Sequence, residues 1–341
     1  MVREIGSEFW SEAFSGEAFS VLEKYKGEQR YYMSGRTALY EILSDIKKNK
    51  KCEIAYLPAY CCDSMVLPFL AHDIKVVYYE IVIEDGFKAL IDPEFKCDIL
   101  FTVDYFGYKN ISESVPNAVH IHDVTHSFLT EPTYKEVDYY FGSLRKWGPI
   151  AGAGMACKVK GNFQTEMSKV INDSYYDLRN KGYDLKNRFM HKAENTKEEF
   201  LKLFAAAEEL LDEDYQGYAA DKKSMDVVNY IYSYKNQRRK NAARLINGLT
   251  SSRLIELVYP VLGAEDVPLF VPIIVKKGMR NELRKFLIEN QVYCPVHWPK
   301  HNGMVDDIYD NELSLICDQR YSEEDMDRII ELVKAFEKGN E

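Results

Sequence analysis

The chain has no CxxC pair, no apolar run approaching the ~20 residues needed to cross a bilayer, and no long block of like charge. Each absence excludes something. The cysteines (52, 61, 62, 97, 157, 294 and 317) are odd in number, and several sit in apolar, strand-like runs, such as Cys97 before Asp98–Val103 and Cys157 within Gly154–Val159. Reduced, buried thiols in a cytoplasmic protein are the simplest account. The opening MVREIGSEFW reads as neither a signal peptide nor a transit peptide, and no membrane partner is expected. A net charge of −10, with acids and bases interspersed, argues against a nucleic-acid partner, which would need a basic face. The one local basic cluster, Lys235 to Lys240, reads as a solvated or interface face of a helix. There is no internal repeat and no low-complexity segment.

What is present is ordinary globular material: 46% apolar and 29% charged residues in a chain of 341, enough for two domains or a large α/β domain with a smaller lobe. Residues 1–30 read as irregular, with a helix-like patch at Phe14–Tyr25. Ser34 or Gly35 then caps a helix whose apolar positions are Leu39, Ile42, Leu43 and Ile46. Strand-like stretches follow at Glu53–Leu57, Ile74–Ile81, Asp98–Val103 and Val119–Val124. Helix-length or loop segments separate them, the pattern of a mostly parallel sheet covered by helices. From about Gly161 the pattern turns helical. Lys197–Leu211 is amphipathic, with Phe200, Leu201, Phe204 and Leu211 on one side, and a long helix is predicted over Ser224–Leu249. The remainder reads as a smaller α+β lobe. Its strands fall near Leu257–Val261, Leu269–Val275, Val292–Val296 and Leu313–Ile316, and its helices at Met279–Glu289 and Ser322–Phe336.

Four features carry chemistry. Lys146 lies in the run Tyr140-Phe141-Gly142-Ser143-Leu144-Arg145-Lys146-Trp147-Gly148-Pro149, between the strand-like stretches Asp138–Phe141 and Gly154–Val159. A lone lysine is ordinarily a solvated loop residue. Aromatic and glycine neighbours crowd this one, and an amine in an apolar pocket has a depressed pKa and becomes a nucleophile toward carbonyls. Ser34-Gly35-Arg36-Thr37 opens a helix, where free N–H groups, hydroxyls and a guanidinium make a phosphate cradle. Asp123 ends a strand of the parallel set, where ligands bind, although an acid there could equally cap the next helix. Two loop clusters, Cys294–Pro299 and Cys317–Tyr321, bring His297 and Arg320. A phosphate site, a carboxylate and a lysine together are what pyridoxal 5′-phosphate requires.

The series SGRTAL, PAYCCDS, HDVTHS, SLRKW…GAG, a helix with RRKN, and PVHWP resembles the DegT/StrS-type aminotransferases, in the branch whose lysine motif reads SLRK. The resemblance spans most of the chain. It implies the aspartate-aminotransferase fold (fold type I), a three-layer α/β/α large domain with an N-terminal arm over 1–245 and a small α+β domain over 246–341. It implies that Lys146 is the Schiff-base lysine and Asp123 the partner of the pyridine nitrogen. His126 falls near the cofactor's ring hydroxyl, Gly35, Arg36 and Thr37 on the phosphate turn, and Ser143 beside it. Cys62 lies in the segment that usually stacks on the ring. His297 and Arg320 are candidates for substrate groups. The expected partners are an amino donor, commonly glutamate, and a keto sugar or related keto acceptor. A homodimer with sites near the subunit interface is expected, with Arg238, Arg239 and Asn241 facing the partner.

Three other readings compete. His120, His122 and His126 could serve a metal-dependent hydrolase, since histidines two apart on a strand share a face. The cofactor could support another reaction, or the chain could be a regulator that binds it without turnover.

Overall fold

The computed structural model describes residues 3–12, 18–109, 114–132, 136–192, 194–298 and 308–340. After a two-residue strand β1 (Ile5–Gly6), the chain runs through β2 (Glu28–Tyr32), α1 (Gly35–Asn49), β3 (Ile54–Pro58), α2 (Asp63–Ala71), β4 (Lys75–Ile83), β5 (Phe87–Leu90), β6 (Ile99–Val103), β7 (Val119–Asp123), β8 (Tyr139–Ser143) and β9 (Gly154–Lys158). Strands β2 to β9 form one sheet in the order β2-β9-β8-β7-β6-β3-β4-β5. Its centre, β8-β7-β6-β3-β4, is parallel, and β9 and β5 join antiparallel to β8 and β4. β6 is buried along its whole length, as a strand covered on both faces must be. Four central strands thus match the expected segments to within two residues at either end.

Two helices, α3 (Asp173–Lys192) and α4 (Lys197–Glu213), then form a hairpin with its own aromatic core around Tyr175, Tyr183, Phe200 and Phe204. α5 (Lys222–Val228) and α6 (Lys235–Leu249) lead into the C-terminal lobe: β10 (Ile255–Leu257), β11 (Phe270–Val275), α7 (Arg280–Glu289), β12 (Val292–Tyr293), α8 (Ile308–Asn311), β13 (Glu312–Ile316) and α9 (Glu323–Lys338). Here β10-β11-β13 is antiparallel. β1 pairs in parallel with β12, and Ile5 and Trp10 join the core of this lobe. Ser322 and Asp325 form a capping box at the start of α9.

Several local expectations need correction. The segment before residue 30 is not wholly irregular, because Glu28 begins a sheet strand. The helix-like patch Phe14–Tyr25 falls partly outside the described residues, and within them only Val21–Lys24 is helical, as a single 3₁₀ turn. Ser224–Leu249 is not one helix. The aromatic- and β-branched-rich Tyr230-Ile231-Tyr232-Ser233-Tyr234 favours helix weakly, and it tightens to a 3₁₀ turn that buries Ile231 and Tyr234. On α4 the buried line is Phe200, Phe204, Ala207 and Leu211, and Leu201 faces outward at 45% exposure because it lies a step off that line. Arg238 and Asn241 do not face a partner. Arg238 lies 4.7 Å from the centre of the Trp147 ring and donates to the carbonyls of Pro268 and Leu269, and Asn241 donates to those of Asp318 and Tyr321. Arg239, which is half-buried, donates to the carbonyls of Gly263 and Asp266 within the chain.

The feature that positions the site is the contact of the β2–α1 turn with β8 and β9. A Cβ on Gly154 would come within 1.9 Å of the Ser34 carbonyl oxygen, and one on Gly35 within 2.9 Å of Ser143 Cβ. Gly154→Ala should therefore cost ~1–3 kcal/mol or more in urea unfolding, because backbone must move. A cost below ~0.5 kcal/mol, typical of a neutral surface change, would show that the turn is not pressed against β9.

Candidate active site

The carboxyl ends of β7 and β8, the N-termini of α1 and α2, and Leu211 of α4 surround a cleft of about 510 Å³, part of it open to solvent. Ser34, Gly35, Arg36, Cys62, Asp123, Ser143, Arg145 and Lys146 line it. Chain segments more than a hundred residues apart in sequence therefore converge at the end of the parallel strands, where such sheets bind ligands.

Asp123 ends β7 and is fully buried. Its Oδ1 accepts the Thr125 N–H at 2.7 Å, and its Oδ2 is buried without a partner. Burial pushes the carboxyl up to about 6, against the pull of the Thr125 hydrogen bonds. Thr125 in turn fixes both ends of the Ser143–Trp147 turn: Ser143 N–H donates to Thr125 Oγ1 at 3.0 Å, and the Trp147 indole donates to the Thr125 carbonyl at 2.8 Å. The indole thus ties the 3₁₀ turn that carries Lys146 to the loop after Asp123.

Lys146 Nζ is 3.2 Å from His126 Nε2. His126 Nδ1 accepts the Phe106 N–H at 3.3 Å, so the neutral imidazole carries its proton on Nε2 and donates it to the amine. That geometry requires a lone pair on Nζ. Burial lowers the pKa of Lys146, and burial beside Lys146 holds His126 well below the usual histidine range. Both shifts run against charge on this pair, the direction that favours a nucleophilic amine. The His126, Phe106 and Trp298 rings lie nearly parallel, with the histidine centroid 5.1 Å from Phe106 and 5.7 Å from Trp298.

On the opposite side, the Ser34 hydroxyl caps α1 by accepting the Thr37 N–H at 3.1 Å. Thr37 is not on the cleft wall: its hydroxyl donates to the Tyr215 carbonyl at 2.6 Å, so it braces the turn. His297 lies behind His126, with centroids 6.2 Å apart and its Nδ1 3.2 Å from Ser314 Oγ. Arg320 is outside the lining. Its guanidinium is held by Asp318 at 2.7 Å and by the Ser7 and Glu8 carbonyls. Pro299 falls outside the described residues. Sequence reasoning assigned no role to Arg145, Thr125, Phe106 or Trp298. For Arg145, Thr125 and Trp298 the only signal was their place inside the quoted motifs.

His120 and His122 point elsewhere. Both engage Thr102 Oγ1, at 2.6 and 2.7 Å, and His122 Nε2 sits 3.2 Å from Asp104, so the two do not converge with His126. Among the described residues no group of three or more His, Cys, Asp or Glu side chains is placed to hold a metal ion. No helix among them is long and apolar enough to cross a membrane.

No protein-family model matches the chain, and neither does any curated protein. Solved structures do match. PseC from Helicobacter pylori, an aminotransferase involved in the biosynthesis of pseudoaminic acid, aligns over 98% of this chain and 100% of its own, with a TM-score of 0.68 at 11% identity. Spr1654 from Streptococcus pneumoniae, solved in PLP and PMP forms, aligns in its PLP form over 98% and 93%, with 0.65 at 15%. The sugar aminotransferase CalS13 from Micromonospora echinospora aligns over 90% and 87%, with 0.59 at 12%. This chain has the fold of those aminotransferases. The expected fold type I architecture, with its mainly parallel sheet, is present.

Asp123 generates a stability test. Its ordinary value is 3.8 and its folded value about 6. Between the two the folded chain binds more protons than the unfolded one, so raising the pH removes stability, with the full loss above about pH 6. At ~1.4 kcal/mol per pH unit this amounts to roughly 3 kcal/mol. In ligand-free protein, Asp123→Asn should be more stable than wild type by up to roughly 3 kcal/mol near pH 7.5, and the two should converge below about pH 4. A difference in denaturant stability that does not vary with pH would refute the assigned burial of this charge.

Proposed function

We propose that this chain is a pyridoxal-phosphate-dependent aminotransferase of the DegT/StrS type. The observation that carries the reading is the fully buried Asp123, whose unpartnered Oδ2 shares a cleft with the Lys146 amine and the N-terminus of α1. A carboxylate in that state suits a ring N–H, the amine suits a carbonyl carbon, and the Ser34–Gly35–Arg36 turn with Ser143 suits a phosphate. The fold shared with aminotransferases, and the PLP and PMP forms of Spr1654, support the same cofactor.

When bound, pyridoxal phosphate supplies an electron sink for the bonding pair released at the amino-bearing carbon. The protein's part is positional and protolytic. Asp123 Oδ2, buried without a partner, would accept the ring N–H. Lys146 Nζ would be the base that accepts the proton released at the substrate carbon and the acid that hands it on to the cofactor. His126 keeps that amine neutral by donating from Nε2. We assign glutamate as the amino donor and a keto sugar or related keto compound as the acceptor, the latter supported by CalS13 being a sugar aminotransferase. A homodimer, in the cytoplasm, completes the reading. His297, from the small domain proposed at 246–341, would support His126 from behind.

Borohydride reduction of the cofactor-loaded protein, followed by peptide mapping, should place the label on Lys146. Adding glutamate before reduction should convert the bound cofactor to its pyridoxamine form and suppress the labelling. Lys146→Ala should lower turnover by at least ~10³-fold, as expected for loss of an essential acid–base group. Label on another lysine would overturn the site. If no amino donor changes the spectrum, a different reaction or a non-catalytic regulator becomes the better account.

A further inference from the structure

Arg145 plays no part in the function proposed so far, yet it lines the cleft next to Lys146. Its Nη1 donates to Glu208 Oε1 at 2.6 Å and to the Tyr175 hydroxyl oxygen at 3.0 Å, and its Nη2 reaches Glu208 Oε2 at 3.5 Å. The Tyr175 O–H goes to the Ala151 carbonyl at 2.9 Å, so the tyrosine acts toward Arg145 only as an acceptor. These partners leave the Nε–H and one Nη2–H of Arg145 uncommitted. Arg36 is treated the same way. Its Nη1 donates to Asp212 Oδ1 at 2.7 Å and to the Leu211 carbonyl at 3.3 Å, and its Nε is buried without a partner. Two guanidiniums on one cleft are thus each pinned at Nη1 by α4, one helical turn apart, and each keeps N–H groups to spare.

An arrangement with spare donors on one side and a fully buried, unpartnered carboxylate oxygen on the other calls for a ligand with an N–H at one end and an oxyanion at the other. We propose, on the reading that the site takes pyridoxal phosphate, that Arg145 is a second guanidinium for the phosphate monoester beside Arg36, and that Glu208 and Asp212 are positioning residues that aim the pair. The two carboxylates also keep the guanidiniums from being buried unpaired before the ligand arrives. Glu208 is itself held by Arg179 Nη1 at 3.3 Å, and Arg179 Nη2 reaches Glu8 of the N-terminal segment at 3.2 Å. The α3–α4 hairpin is therefore part of the binding site rather than an appended cover.

The test compares equilibrium binding of pyridoxal 5′-phosphate with that of pyridoxal, which lacks the phosphate. Arg145→Gln should weaken the phosphate ester ~10- to 100-fold, the range for a lost hydrogen bond to a charged group, and leave pyridoxal within about twofold. Glu208→Gln should give a smaller loss, ~3- to 10-fold, with the same selectivity for the phosphate. Arg145→Lys, which keeps the charge and loses the fork, should fall between Arg145→Gln and wild type. Near-ultraviolet circular dichroism and thermal unfolding check that each variant is folded. If Arg145→Gln does not fold, Arg145→Lys and Glu208→Gln decide. Equal weakening of both ligands, or an unchanged ratio in the folded variants, would overturn the proposal. Wild-type protein that binds neither ligand would sink the underlying cofactor reading as well, and it would then also give no label at Lys146.

Discussion

A carboxylate removed from water, with one oxygen filled and the other empty, is the constraint from which the site follows. Asp123 can be buried ionised only at a cost of several kcal/mol unless a donor reaches Oδ2. The fold accepts that cost. β7 sits between β6 and β8, so its last residue is fully buried and meets only the floor of the cleft. The Thr125 N–H and hydroxyl hold the loop that follows, and Trp147 ties the lysine-bearing turn to the same loop. The carboxylate and the amine are therefore set by a shared set of hydrogen bonds rather than by two independent loops. A buried group whose charge is disfavoured at neutral pH is a hallmark of sites that hold stability in reserve for a ligand.

The positive side of the cleft is organised on the opposite principle, with every charge paired. Arg36 and Arg145 are held by Asp212 and Glu208 of α4, Arg179 passes the contact to Glu8, and Arg320 clamps the Ser7 and Glu8 carbonyls from the C-terminal lobe. This relay links the cleft to the N-terminal segment and to the small lobe through ion pairs and carbonyls. It explains why Arg320, a candidate for substrate binding on its motif alone, is instead buried against Asp318. Its task in the folded chain is to fasten the N-terminal segment.

The legible parts of the site were those carried by local runs. Asp123 follows a β-type stretch, Gly35 and Ser34 open an amphipathic helix, and Ser143 and Lys146 share one turn, so each could be placed from a few neighbours. The central strands were readable for the same reason, since burial on both faces demands continuous apolar runs. What failed depended on distant partners. Arg145 gains its meaning only from Glu208, 63 residues away. Arg238 looked like part of a basic surface cluster, and its burial depends on the Trp147 ring lying across from it. β2, with the polar run Glu28-Gln29-Arg30-Tyr31-Tyr32, has little strand signature of its own and is made a strand by pairing with β9. Thr37 fitted the phosphate turn by position, but the Tyr215 carbonyl takes its hydroxyl.

The most direct test of the central claim is the protonation state of the ring nitrogen. Protein loaded with pyridoxal phosphate carrying ¹⁵N in the ring should show, by NMR at neutral pH, a protonated nitrogen in wild type and an unprotonated one in Asp123→Asn. An unprotonated nitrogen in the wild-type protein would mean that Oδ2 of Asp123 is not waiting for that group, and the account built on it would fail.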